Sequence, residues 1–354
     1  MTLKSIDIFS GAGGLTEGLA SAGIECILGV DADRDCFITF SEAHGPGLRL
    51  ALNASSITNL GEWRGEPDIL AGGPPCQPFS VHGRQQGAAD KRDCIPLFIL
   101  ALGILKPRAF ILENVPSLAA PRHRDYFMAR LTDMVSLGYG VQYAILDAAA
   151  FGVPQHRRRL FVVGFLKGDE SNRRPFQWPN PTHGPGLLPY VTVREALLAP
   201  VPSRLEELNR SRVTYARNPV WRPRLLNSLV VNGKGRVLDF DAPAPTVTAQ
   251  SSGNGAHILD MCGELRQYHY SLMLCKRADL TPSIRQGEVI GARRLTWREA
   301  SALQGFPDSY PFQGSVSSKY SQIGNAVSPP LAEAVGRAVV AHLQAEPIRM
   351  GLRG

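Results

Sequence analysis

Three short stretches hold side chains whose types could do chemistry together. GGPPCQPFS, residues 72–80, sets Cys76 among prolines. Those prolines fix φ at three positions of a short loop, so ordering it costs little further backbone entropy. A thiol reacts only as its thiolate, and arginines or helix N-termini beside a partly exposed loop lower its pKa from about 8.5. The same residues also fit a buried cysteine in a structural turn. ILENVPSL, residues 111–118, ends an apolar run with Glu113 and Asn114. Burial raises a glutamate's pKa and lets it share a proton with a ring nitrogen near neutral pH. A plain loop cap is the alternative. QHRRRLFVVGF brings Gln155, Arg157 and Arg159 ahead of an apolar strand. At a period of two, Arg157 and Arg159 face one side and Arg158 the other. They form either a clamp on a base carbonyl and phosphates or a solvated basic edge.

A fourth stretch points to a cofactor. DIFSGAGGLTEGL, residues 7–19, places glycines between an apolar strand and a helix. Glycines there permit a tight turn and bring backbone N–H groups to a ligand at the helix N-terminus. Their spacing is not the GxGxxG of the dinucleotide fingerprint. One strand later GVDAD offers Asp31, where a carboxylate can accept hydrogen bonds from ribose hydroxyls. Turn and carboxylate together favour a nucleoside-containing cofactor.

These residues need a common frame. SIDIF, CILGVD, DILAGG and AFILENV read as short apolar strands separated by helical stretches such as LTEGLASAG and RDCFITFSEA. That alternation predicts βαβ units and a doubly wound α/β sheet, with ligands at the carboxyl ends of the strands. LFVVGF adds a strand. The expected domains are a catalytic and cofactor-binding domain over 1–170, a loop-rich second domain over 171–290, and a C-terminal segment over 291–354 that packs back onto the first. PPLAEAVGRAVVAHLQA reads as a final helix with proline at its start.

Composition narrows the function classes. No apolar run approaches the roughly 20 residues of a membrane span. The N-terminus lacks the pattern of a secretory signal, so a cytoplasmic location is expected. Six cysteines lie far apart without a CxxC pair, which argues against zinc or a disulfide framework. The net charge of +7 is concentrated: residues 171–290 hold 15 Lys and Arg against 9 Asp and Glu, whereas residues 1–170 hold 16 against 18. A polyanion partner would therefore meet the second domain.

Taken in order, the stretches resemble the cytosine-C5 DNA methyltransferases. DIFSGAGGL looks like that family's first cofactor motif, GGPPCQPFS its nucleophile motif, ENV its glutamate motif and QHRRRL its Gln-x-Arg-x-Arg motif. RRLTWREASALQGFP and QIGNAVSPPLAEAVG resemble its ninth and tenth motifs. The likeness covers the chain outside 171–290. It implies a Rossmann-like S-adenosylmethionine-dependent methyltransferase sheet with a smaller target recognition domain. It further implies that Cys76 attacks C6 of a flipped cytosine, Glu113 serves N3, Asn114 orients the glutamate loop, and Arg159 with Arg157 contacts the base oxygen or nearby phosphates. Covalent addition is required because C5 alone is too weak a nucleophile, and extrusion because a stacked base is out of reach.

By the same resemblance, Phe9 packs on adenine, Gly11, Ala12, Gly13, Gly14 and Leu15 wrap the methionine part, and Asp31 holds the ribose. Pro74 and the tenth-motif residues Asn325, Ala326 and Val327 complete the pocket. Two positions depart from the family pattern: Ala32 stands where relatives carry a stacking aromatic, and Ser56, beside Ile57, stands where an aspartate reads the adenine amino group. Double-stranded DNA is the implied partner, contacted by Gln77, Ser80, Arg84, Gln155, Arg212, Arg217, Arg222 and Arg224. The implied protein is a bacterial modification methylase, monomeric and nucleoid-associated, either paired with a restriction endonuclease in the same system or solitary, and without a metal. Three rivals are weighed: a nicotinamide oxidoreductase leaves Cys76 and the tenth motif unused, a tRNA-methylating relative lacks its Cys-Phe-Thr signature here, and an inactive DNA-binding regulator has no need of an intact cysteine, glutamate and arginine set.

Overall fold

The computed structural model describes residues 2–50, 53–75, 93–168, 175–197, 209, 211–219, 230–233, 235–281 and 283–345. The chain divides into two compact units, one of 1–152, 157–189 and 326–354, the other of 153–156 and 190–325.

The first unit alternates strands and helices as its apolar runs dictate. In chain order it holds β1 (Leu3–Ile8), α1 (Gly14–Ser21), β2 (Ile24–Asp31), α2 (Arg34–His44), β3 (Gly47–Arg49), α3 (Ala54–Thr58), β4 (Ile69–Gly72), α4 (Ile95–Leu105), β5 (Ala109–Asn114), α5 (Arg124–Ser136) and β6 (Tyr139–Asp147). After the chain visits the second unit with β7 (Gln155–His156), β8 (Arg158–Leu166) returns to the first. Among the described residues the sheet has seven strands in the order β3-β2-β1-β4-β5-β8-β6. β3, β2, β1, β4 and β5 are mutually parallel, so their carboxyl ends share one edge. β8 departs from an all-parallel sheet: it runs antiparallel to both β5 and β6. That reversal carries Arg159 to the end of β5, because its start is paired with the finish of that strand, Leu160 opposite Asn114. Ile6, Ile8, Val30, Leu70, Phe98, Phe110 and Leu112 form the core beneath the strand ends. Each fully buried side chain of this size contributes roughly 1.5–3 kcal/mol.

The second unit has its own core of Val213, Tyr215, Val231, Val237, Ile258, Tyr268, Leu272 and Val289. Its further elements are α6 (Val193–Leu197), β9 (Ala244–Pro245), β10 (Ile258–Asp260), α7 (Glu264–Arg277), β11 (Ala292–Arg294), α8 (Trp297–Gln304) and α9 (Val316–Asn325). α8 opens with a capping box in which the Thr296 side chain and Glu299 satisfy each other's backbone N–H. The last helix, α10 (Pro329–Gln344), lies in the first unit, where α1 approaches so closely that a Cβ on Gly18 would stand 2.3 Å from the Pro329 carbonyl oxygen.

The boundaries drawn from sequence differ from this division. Residues 291–325 group with the second unit rather than with the C-terminal segment, and only 326 onward joins the first. The reason is pairing: β11 forms an antiparallel ladder with β10, 32–36 residues earlier in the chain, which periodicity within 291–354 does not reveal. No helix among the described residues is long and apolar enough to cross a membrane.

Candidate active site

At the ends of β4 and β5 the structure brings together three of the expected catalytic side chains. Glu113 closes β5, is 8% exposed, and receives the Arg159 Nε at 2.9 Å on its Oε1. Its other oxygen faces the β4 exit: a Cβ placed on Gly73 would stand 3.3 Å from Oε2. Asn114 donates from Nδ2 to the Pro74 carbonyl at 3.1 Å and accepts the Val115 N–H on Oδ1 at 2.8 Å. One amide thus ties the glutamate turn to the proline run that leads into Cys76. Burial pushes the Glu113 carboxyl up from its ordinary value, and the positive charges of Arg159 and Arg157 pull it partly back. Cys76 itself, with Gln77, Ser80 and Arg84, falls in residues 76–92, outside the described residues. Arg222 and Arg224 fall in 220–229, likewise outside them. Arg212 and Arg217, in the second unit, are both exposed.

At the ends of β1 and β2 lies a second cluster. Phe9 is 7% exposed and holds φ at +59°, a left-handed conformation that costs a bulky residue energy and turns the chain sharply off β1. Gly11 follows at φ +54°, and among the described residues no heavy atom beyond its own chain neighbours lies within 4 Å of where its Cβ would be, so the turn is open on that side. Asp31 binds this turn to its own strand end, accepting the Gly11 N–H on Oδ2 and the Asp33 N–H on Oδ1, both at 2.8 Å. Burial raises the Asp31 pKa while these backbone donors lower it. Ala12 and Leu15 are buried beneath the turn, Gly13 caps α1 and Gly14 begins it. Ala32 is exposed, Ser56 half-buried and Ile57 buried on α3. Ala326 and Val327 lie in the first unit and Asn325 ends α9 in the second.

Two expected contact residues have other work. Arg157 is wholly enclosed; its guanidinium donates to the Ala326 carbonyl at 2.9 Å, and its backbone N–H to Asp147 Oδ1 at 2.9 Å. Gln155 is also wholly buried. Its Nε2 donates to the Leu303 carbonyl at 3.1 Å and to Gln304 Oε1 at 2.6 Å, and its Oε1 accepts the Val247 N–H at 2.7 Å. Both Nε2 donors and one lone pair of Oε1 are therefore engaged within the chain.

Sequence reasoning missed Asp7. It lies 1% exposed in β1, accepts Thr16 Oγ1 at 2.7 Å on Oδ2, and leaves Oδ1 buried with no hydrogen bond among the described residues. Burial, with a contribution from the nearby Asp31, pushes its carboxyl up to about 7 despite the Thr16 hydrogen bond. An aspartate alternating with apolar residues in SIDIF looks from sequence like a solvent-facing strand position; helix α1 covering it is the tertiary fact that makes it buried.

Residues 3–341 match the family described as C-5 cytosine-specific DNA methylase. The Type II methyltransferase M.AplI of Arthrospira platensis is 31% identical over 98% of this chain and 88% of its own length. The Type II methyltransferase M.NgoMIV of Neisseria gonorrhoeae is 31% identical over 98% of this chain and all of its own. In fold, the S. pombe Dnmt2 methyltransferase superposes with a TM-score of 0.61 at 17% identity, covering 96% of this chain and 98% of that one. The chain belongs to the C-5 cytosine-specific DNA methylase family and is a DNA (cytosine-5)-methyltransferase related to the Type II modification enzymes.

Proposed function

We propose that this protein methylates C5 of one cytosine within a specific sequence of double-stranded DNA, using S-adenosylmethionine, through covalent attack of Cys76 on C6 of an extruded base. The observation that carries the proposal is the cluster of Glu113, Arg159 and Asn114 beside Gly73 and Pro74, two residues before the cysteine.

The roles follow from chemistry. A carboxyl raised by burial can hold a proton at N3 of the ring, which withdraws electrons and opens C6 to the thiolate of Cys76. Arg159 fixes the direction of that carboxyl and presents donors to the base oxygen. Asn114 keeps the glutamate turn and the proline run in register, a second-sphere role that geometry near a reacting atom rewards steeply. Once C5 carries the methyl group, loss of its proton and elimination of Cys76 release the product.

The open turn at Gly11, its anchoring carboxylate Asp31 and the buried Phe9 fit the cofactor's polar and aromatic parts. Bound there, S-adenosylmethionine supplies an electrophilic methyl group. Asp31 would accept the ribose hydroxyls with the lone pairs its two backbone donors leave free, and the exposed Ala32 and half-buried Ser56 give adenine a less confined seat than the family pattern implies. Arg212, Arg217, Arg222 and Arg224 are assigned to DNA recognition, with arginine suited to guanine edges and phosphates. We also assign the protein to a modification system with a restriction endonuclease, acting as a monomer. Transfer of labelled methyl groups from S-adenosylmethionine to duplex DNA, followed by base-resolved mapping of 5-methylcytosine, tests the proposal. Label at one cytosine of a recurrent sequence is expected; label on adenine, or none with active cofactor binding, contradicts it.

A further inference from the structure

Arg285 lies in the second unit, outside every stretch assigned above to catalysis, cofactor or DNA. Pairing places its segment: residues 213–216 hydrogen-bond on one side to 230–232 and on the other to 287–289, with the Tyr215 N–H donating to the Gly287 carbonyl at 3.0 Å and the Val289 N–H to that of Val213 at 2.9 Å. The Arg285 N–H then donates to the Tyr268 hydroxyl at 3.3 Å. Its guanidinium rests over the Tyr268 ring, Cζ 5.3 Å from the centroid, and Nη1 donates to the Tyr215 hydroxyl and to Glu264 Oε1, both at 3.3 Å. These holders are themselves fixed. Tyr215 and Tyr268 are buried with their rings edge to face at 5.0 Å, and Tyr215 donates its own hydroxyl proton to Glu264 in the first turn of α7.

One terminal nitrogen is thus engaged, while Nε and Nη2 make no hydrogen bond among the described residues and the side chain is 45% exposed. Nε and Nη2 share one edge of the planar group, so they present two parallel donors. Elsewhere in this unit Arg194 and Arg266 lean on Asp241 and Asp239, carboxylates that are more than half exposed, and Arg293 engages both terminal nitrogens with Glu299. Exposed pairs of the first kind fix little. We propose that Arg285 reads a guanine of the target sequence, Nε and Nη2 donating to its O6 and N7 in the major groove, with Tyr215 and Glu264 as positioning residues. Guanine is the base whose major-groove edge offers two adjacent acceptors. A phosphate is the weaker match, because Glu264 already offsets the charge that would attract it. Ordering an arginine on binding costs rotamer entropy, and a guanidinium seated by folding has already lost it. The proposal rests on the reading of the second unit as the part that recognises DNA, and adds that the recognised sequence contains a guanine.

The full-length protein, wild type and with Arg285→Ala, Arg285→Lys or Tyr215→Phe, is assayed for kcat/KM on the mapped target duplex and on duplexes that replace each of the other base pairs in turn, alongside Tm. The wild type is expected to prefer guanine at one position by about 10-fold to 100-fold, the range of one bidentate contact. Arg285→Ala should lose that preference and keep those at the remaining positions. Arg285→Lys should not recover it, because an ammonium has no planar fork, and Tyr215→Phe should weaken it at the same position alone. Placing 7-deazaguanine there, which lacks the N7 acceptor, should slow the wild type and leave Arg285→Ala unchanged. An Arg285→Ala protein with unchanged preferences at every position overturns the proposal. So does a loss spread evenly over all sequences, which describes a phosphate contact or, with a lowered Tm, a structural staple. If the alanine protein does not fold, Arg285→Lys decides: full guanine discrimination with lysine overturns the proposal, and its loss at that position alone supports it. A wild-type protein that transfers no methyl group to duplex DNA removes instead the reading on which the proposal rests, and the proposal with it.

Discussion

The ends of β2 and β5 carry carboxylates on the same edge of one sheet, Asp31 half-buried and Glu113 buried, yet their surroundings set them different tasks. Asp31 is held by two backbone N–H groups, from Gly11 and Asp33. Burial raises this carboxyl too, but neutral backbone donors fixed by the fold offset part of that without presenting a mobile proton, so Asp31 is suited to accept hydroxyls. Glu113 is held by a guanidinium on one oxygen and faces the β4 exit with the other. A carboxyl raised by burial and steadied by an arginine is suited to exchange a proton with a ring nitrogen. The topology supplies two equivalent positions; the partner of each carboxylate, backbone amide or side-chain cation, decides its chemistry.

Substitutions at the two ends should separate. Glu113→Gln removes the proton-holding group and should lower the rate of methyl transfer by about 10² to 10⁴, measured in single-turnover assays with saturating cofactor. Arg159→Ala should cost somewhat less, on the order of 10². It should also weaken the dependence on Glu113, because a carboxylate without its cation rises further and loses its direction; a double-mutant cycle in kcat measures that coupling. Asp31→Ala should leave the saturated rate within severalfold and weaken cofactor binding by about 10-fold to 100-fold, the worth of charged hydrogen bonds at roughly 1.5–3 kcal/mol, read by calorimetry.

An effect on stability rather than on rate or binding lies beneath the Asp31 end. Asp7 has a folded-state carboxyl raised to about 7 from an ordinary 3.8. The folded chain therefore binds a proton that the unfolded chain has released. Its contribution to stability is full below pH ~4 and is lost as pH rises through about 7, at up to roughly 1.4 kcal/mol per pH unit. Asp7→Asn should flatten that part of the pH dependence, measured by urea unfolding between pH 5 and pH 8. Identical slopes for the two proteins would show that Asp7 does not titrate in this window.

How much of this was legible in sequence depends on how local each fact is. The strands SIDIF, CILGVD, DILAGG and AFILENV, the carboxylates at their ends and the glycine turn all follow from short-range pattern, and the structure has them on one sheet edge. A period of two puts Arg157 and Arg159 on one side and Arg158 on the other, and burial then separates the first two: Arg157 is enclosed, Arg159 is turned to Glu113, and Arg158 is exposed. What encloses Gln155 is Val247, 92 residues away, and Gln304, 149 residues away, and no local period encodes such partners. Helix α7 went unread for a related reason. Its sequence ELRQYHYSLMLCKR mixes aromatic and β-branched-poor apolar residues on an amphipathic face whose buried side, Leu265, Tyr268 and Leu272, is defined by Tyr215 and Val289 from distant segments.

The comparison of the two strand ends is tested most directly by single-turnover methyl transfer to duplex DNA at saturating S-adenosylmethionine, run side by side for Glu113→Gln and Asp31→Ala. The account predicts a rate reduced by at least about 10² for the first and within severalfold of wild type for the second. Equal losses in the two variants, or a Glu113→Gln protein that transfers methyl groups at the wild-type rate, would contradict it.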